Sequence, residues 1–212
     1  MAEQENGCAS IVVMGVAGCG KTSVGEALAR HLKWPFIEGD AHHSPASIAK
    51  MQAGQPLTDE DRWGWLDRLG ALLQAPGPVV LSCSALKRVY RDRLRAAHPP
   101  LQFVFIDISR SLALTRVAAR ASGHIFPASL VDSQFATLES PVGEAGVMTV
   151  SADLPLDAQV AAILAQRQQL VAAAHAADDT RAGAASLTPV SPPADVPPSI
   201  AEQVSSPKES GL

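Results

Sequence analysis

Eight consecutive residues in this chain have the types and spacing that phosphate chemistry requires. Gly15-Val16-Ala17-Gly18-Cys19-Gly20-Lys21-Thr22 satisfies G-x-x-x-x-G-K-[ST]. The glycines let successive backbone N–H groups turn inward around an anion. A helix starting at Lys21 adds the partial positive charge of its N-terminus. In such a loop the lysine reaches the outer phosphates of a nucleoside triphosphate, and the Thr22 hydroxyl is a ligand for Mg²⁺. The apolar run Ile11–Met14 before the loop supplies the strand that the motif needs, and Val24, Leu28 and Leu32 continue it at helical spacing. Cys19 is read as a spacer within the loop.

Two further groups of residues suit a transfer reaction. Ile37-Glu38-Gly39-Asp40 puts two carboxylates at the end of a second apolar run, where an open α/β sheet faces its ligand crevice. Asp40 is the candidate base, and Gly39 is expected to leave room for a ligand to come close. The run at 78–82 continues into Cys83 and Ser84 without an aspartate, so Mg²⁺ falls to Thr22, phosphate oxygens and water, with Asp40 or Glu38 as outer-shell candidates. Arg116, Arg120 and His124 straddle a helix end and a loop containing Gly123 and Pro127, the pattern of a lid over about 116–128 that brings cations to a moving phosphoryl group. No Asn/Thr-Lys-x-Asp motif is present, which disfavours a guanine-nucleotide switch.

The elements that must position these residues alternate along the chain. Apolar runs predict strands at 11–14, 35–38, 78–82, 102–108 and 147–151. Helical patterns predict helices at 21–33, 45–53, 58–74, 87–97, 110–120, 128–138 and 156–176, with Thr58 and Ser109 as N-caps. This alternation specifies an α/β three-layer sandwich, a five-stranded parallel sheet with helices on both faces. The domain is expected over 11–177, after an arm at 1–10. Residues 178–212 hold six prolines, many serines and no aromatic residue, so a disordered tail is expected there.

Bulk properties narrow the classes. With 212 residues, 47% of them hydrophobic, the chain suits one domain plus a tail. A net charge of −4 and no basic run argue against nucleic acid. No stretch reaches the ~20 apolar residues of a membrane span. Three cysteines without metal-ligand spacing, and an acidic N-terminus lacking signal-peptide character, fit a cytoplasmic protein.

Four longer stretches carry a resemblance: GVAGCGKTSVGEALA at 15–29, EGDAHHSPASIAKMQAGQPLTDEDRWGWL at 38–66, SCSALKRVYRDRLR at 82–95 and GHIFPASLVDSQFATLESP at 123–141. In content and order the chain resembles the phosphate-loop gluconokinases, within the wider shikimate-kinase and adenylate-kinase-like group. The resemblance implies a P-loop kinase fold with a lid. It also implies ATP-dependent phosphorylation of D-gluconate to 6-phospho-D-gluconate, feeding the pentose phosphate pathway, and suggests a homodimer. A sugar-acid site needs cations for the carboxylate, hydrogen-bonding groups for the hydroxyls and a base near the primary alcohol. The matched stretches provide His43, Lys50, Arg62, Lys87 and Arg91 as cations, Ser84 as a hydroxyl and His124 in the lid. Lys21, Asp40, Arg116 and Arg120 form the implied catalytic set. Arg62, Lys87 and Arg91 have an alternative reading as solvated surface cations, Asp40 as a helix cap, and Gln134 and Glu139 as helix-surface residues. The lid reads RASGHIF, one residue longer than the family's usual spacing, which ties the phosphate-contacting position more firmly to Arg116 than to Arg120. The alternatives are a kinase of another small sugar acid or alcohol, such as shikimate, and a non-catalytic ATP sensor. The K-M-x-x-G-x-P-L stretch argues against shikimate, and a sensor has no need of a base at Asp40.

Overall fold

Strand β1 (Ile11–Met14) is buried at every position, as a strand with neighbours on both sides and helices on both faces must be. The computed structural model describes residues 9–119 and 129–185. Around β1 lie β2 (Phe36–Glu38), β3 (Val80–Ser82), β4 (Gln102–Asp107) and β5 (Val147–Ser151). All pairs are parallel, in the order β2-β3-β1-β4-β5. Because the strands are parallel, the residues after Met14, Glu38 and Ser82 emerge at one edge of the sheet, and that edge carries the site.

The period of two along each strand divides the core between the faces. Ile11, Val13, Val104 and Ile106 pack with Val24 and Leu28 of α1 (Lys21–Leu32) and Ile163 of α7 (Leu156–Ala185). Val12, Met14, Leu81, Phe103 and Phe105 pack on the other face, with Trp65, Leu66, Leu69 and Leu73 of α3 (Asp59–Leu73) and Tyr90 and Leu94 of α4 (Arg88–Ala97). A third, smaller cluster of Met51, Leu57 and Leu130 joins α2 (Pro45–Gln52) to α6 (Ser129–Thr137). Helix α5 (Arg110–Ala119) follows β4. The expected three-layer α/β architecture is the one observed.

Local chemistry sets the element ends. Thr58 and Asp61 form a reciprocal capping box at the start of α3. Ser109 Oγ accepts the Leu112 N–H at the start of α5. Ser44 caps α2, with Pro45 in its first turn. Two features differ from expectation. A single 3-10 turn spans Gly39–His42 directly after β2. Helix α7 runs to Ala185 instead of ending at 176, since alanine dominates the added stretch and the first proline is Pro189. Residues 178–185, expected in the tail, are therefore helical. The chain divides after Ala173 into two units, and the sheet belongs wholly to the first.

The open edge of β5 is closed by a side chain. The Gln166 carboxamide accepts from Thr149 N–H (3.3 Å) and donates to Thr149 C=O (3.1 Å). Among the described residues no helix is long and apolar enough to cross a membrane.

Candidate active site

The phosphate loop joins β1 to α1 and packs against α5. A Cβ placed on Gly18 would lie 2.8 Å from the Ala113 carbonyl oxygen, and the residue has φ of +83°. No other residue type fits both constraints. Cys19 is fully buried beneath the loop, and burial pushes its thiol pKa up, the role of an inert spacer. Lys21 Nζ donates to the Val16 carbonyl at 3.3 Å. Arg116 reaches back from α5 to the same loop, donating to the Cys19 carbonyl (3.4 Å) and to the Ala152 carbonyl after β5 (2.9 Å).

Beside the loop, the end of β2 is held from several directions. Glu38 accepts hydrogen bonds from the Thr22 hydroxyl (2.7 Å) and the Ser82 hydroxyl. Ser82 Oγ accepts from Gly39 N–H at 3.1 Å, and the Trp65 indole donates to the Gly39 carbonyl at 2.8 Å. The small residue at 39 serves this backbone contact: an added Cβ would lie 2.0 Å from the Ser82 carbonyl oxygen. The expectation that Gly39 makes room for a ligand is corrected; it makes room for β3.

The next residue, Asp40, keeps 31% of its side chain exposed, at the mouth of a cleft. Burial raises its carboxyl above the usual range; the nearby Lys21 charge opposes this and Glu38 adds to it. His43 lies behind it, with Nε2 3.9 Å from Asp40 Oδ1 and its ring stacked on Trp65 at 4.1 Å and 15°. Burial, helped by the positive charges of Arg62 and Arg68, lowers the His43 pKa to about 4. His43 is thus neutral at pH 7, and its expected place among the cations is corrected to that of a neutral hydrogen-bonding group.

The cleft opens to solvent and is lined by Asp40, His43, Arg62 and Ser84, together with Met51, Pro56 and Leu57. Arg62 is a cleft residue, and the same guanidinium also donates to the Leu57 and Thr58 carbonyls at 2.5 and 3.2 Å. The other expected cations are engaged elsewhere. Lys50 pairs with Asp61 at 2.6 Å, and Lys87 pairs with Asp59 at 2.7 Å. Asp59 also accepts from the Tyr90 hydroxyl. Arg91 is 0% exposed. It makes a two-point pair with Glu144 (2.5 and 3.0 Å) and donates to the Ala85 and Leu86 carbonyls (3.0 and 3.1 Å). The expectation that Arg91 binds substrate is corrected: it is a strut beneath the loop between β3 and α4. Arg120 and His124 lie outside the described residues.

One wall of the cleft escaped the sequence reading. Leu130, Ser133, Gln134 and Thr137 of α6 all line it. Their spacing of three, four and seven is that of one helix face, and this was the available signal. Gln134 does more than line the wall, because its Oε1 accepts the Ala17 N–H of the phosphate loop at 2.6 Å. Glu139, also read as a surface residue, accepts the Arg88 N–H at the start of α4 (2.6 Å).

Comparison with known proteins places this geometry. Residues 11–141 match the AAA domain family. The gluconokinase of Gluconobacter oxydans (strain 621H) is 50% identical over 147 residues, covering 68% of this chain and 82% of that protein. The thermoresistant gluconokinase of Escherichia coli (strain K12) is 37% identical over 158 residues, covering 72% of this chain and 90% of that one. Among solved structures, a gluconokinase from Sinorhizobium meliloti 1021 superimposes with a TM-score of 0.73 at 49% identity, over 79% of this chain and 95% of that chain. A phosphate loop, a carboxylate-bearing cleft and these relatives agree: the chain belongs to the gluconokinase family.

Proposed function

We propose that the protein transfers the γ-phosphoryl group of ATP to the primary hydroxyl of D-gluconate, giving 6-phospho-D-gluconate and ADP. The observation that carries this reading is the position of Asp40. It follows Glu38, the residue hydrogen-bonded to Thr22 of the phosphate loop, and it opens into the cleft that also holds Arg62 and Ser84. An acceptor alcohol in that cleft lies between a base and a phosphate cradle, as in-line transfer requires.

In this reading the loop Gly15–Thr22 holds the phosphates through the Lys21 ammonium and those backbone N–H groups that are not already bonded within the protein, as those of Gly15, Ala17 and Cys19 are. Arg116, anchored on the Cys19 carbonyl, stabilises charge on the transferring group, with Arg120 sharing that role through the lid. Thr22 and Glu38 offer hydroxyl and carboxylate oxygens, the donor set a hard divalent cation favours, so these two residues would hold Mg²⁺. Bound there, Mg²⁺ neutralises phosphate charge. Asp40 orients the alcohol and accepts its proton as the bond to phosphorus forms. Arg62 meets the sugar-acid carboxylate, and neutral His43, Ser84 and the lid residue His124 meet hydroxyls. Lys50 and Lys87 contribute positive potential while held by Asp61 and Asp59. A cytoplasmic location and a homodimer accompany the reading, supported by family membership and by the buried free thiols Cys19 and Cys83.

Steady-state ADP release with Mg²⁺-ATP tests the proposal. D-gluconate should stimulate release strongly, and D-glucose, which lacks the carboxylate that Arg62 would otherwise pair with, should not. Equal stimulation by both sugars, or by neither, rejects it.

A further inference from the structure

Gln134 is the one described side chain that both lines the acceptor cleft and hydrogen-bonds the phosphate loop. Its carboxamide has a fixed polarity there. Ala17 offers an N–H, so the Gln134 oxygen must face the loop, as it does at 2.6 Å. The two N–H groups of the same carboxamide are then the donors left for the cleft, which Asp40 and Ser84 line from elsewhere. A hydroxylated acceptor presents the oxygens that such donors need. The loop amide that Gln134 holds lies between Gly15 and Gly18, both at positive φ, in the segment whose N–H groups must converge on phosphate.

We infer that Gln134 is a positioning residue that couples the two substrates: its N–H groups read an acceptor hydroxyl while its oxygen sets the phosphate-loop backbone, so that each substrate strengthens binding of the other. The inference rests on the reading of the cleft as the sugar-acid site. The coupling is carried by one planar group, with a bond to each side. Ordering the carboxamide by an acceptor hydroxyl orders its hold on Ala17, and the reverse holds with equal size. Its position on α6 makes this possible, because Ser133, Gln134 and Thr137 share one helix face toward the cleft.

The experiment measures the dissociation constant of Mg²⁺-AMP-PNP by calorimetry with and without saturating D-gluconate, in the wild type, Gln134→Met and Gln134→Glu. Met keeps the side-chain length and removes both hydrogen bonds. Glu keeps an acceptor for Ala17 N–H and removes the donors to the cleft. Circular dichroism and Tm establish that each variant is folded. The wild type should bind the nucleotide analogue at least ~5-fold more tightly with gluconate present, within the usual range of coupling between sites. In both variants the ratio should fall to about 1. In Gln134→Glu the KM for gluconate should rise ~10-fold or more, the worth of a lost hydrogen bond in a closed site. A wild-type ratio of 1, or wild-type coupling retained in either variant, overturns the inference. Absence of wild-type turnover on gluconate overturns instead the functional reading beneath it, so the two failures are distinct.

Discussion

At the scale of single residues, the site gives two neighbouring carboxylates different environments and different roles. Glu38 is satisfied by the hydroxyls of Thr22 and Ser82, whereas Asp40 is left facing the cleft with its carboxyl pKa raised by burial. A base poised closer to neutrality is a better proton acceptor than a free aspartate. Asp40→Asn should keep affinity for the ATP analogue within a few fold and lower turnover by roughly 10²–10⁴. An aspartate with a raised folded pKa loses stability as the pH rises through the interval between its unfolded and folded values. Its ionised form is therefore a cost at neutral pH, and Asp40→Asn should raise Tm. Turnover near wild type, or a fall in Tm, contradicts the assignment. His43 works in the opposite direction. Its folded pKa of about 4 lies below the ordinary 6.5, so the unfolded chain takes up a proton that the native chain refuses. Its contribution to stability is complete above pH 6.5 and is lost as the pH falls toward 4, to a total of about 3 kcal/mol. His43→Phe keeps a ring against Trp65 and removes the titration. Denaturant midpoints measured from pH 7 to 4 should fall less steeply in this variant than in the wild type.

At the scale of elements, Arg91 shows how a helix can hold a loop. From the first turn of α4 it binds two carbonyls of the segment Ala85–Leu86, whose Ala85 has φ of +43°, and its charge is met by Glu144 from before β5. Without Arg91, Glu144 keeps Arg95 at 2.9 Å, but the Ala85 and Leu86 carbonyls lose the guanidinium that bonds them, so the cost falls at or somewhat below the ~3–5 kcal/mol of a fully broken buried pair. Arg91→Ala should therefore lower Tm severely, and gluconate KM should move little in whatever folded protein remains. A specific rise in KM at unchanged Tm would return Arg91 to the substrate set. These cases also show what a sequence can disclose. Strands and the phosphate loop were legible because their signals are local: β1 is a continuous apolar run, and the loop is eight adjacent residues. The caps at Thr58 and Ser109 were legible for the same reason. The partner of Arg91 lies 53 residues away, and the ring under His43 sits on another helix, so their charge states depend on contacts that no local pattern encodes. Gly39 was recognised as a close approach, but which atom approached depended on the register of β2 against β3.

For the whole molecule, the sheet and all site residues among those described lie before Ala173. Residues 186–212 lie outside the described residues; their sequence has six prolines and no aromatic side chain, a composition that predicts no contribution to the packed core. Deleting them should leave Tm and turnover unchanged, measured by calorimetry and ADP release; a large change in either would show that they dock. The other end of the sheet raises a different question, that of solubility over time. Strand β5 is an edge, and an edge with free N–H and C=O groups is a template for another chain. The Gln166 carboxamide imitates one peptide unit of such a chain and fills the position at Thr149. Gln166→Ala should spare catalysis in dilute, fresh protein. Concentrated and incubated, the variant should form sheet-rich aggregates faster than the wild type, detectable by light scattering and thioflavin fluorescence. One amide, remote from the cleft, then governs how long the enzyme can be kept at high concentration before its own copies compete for the edge.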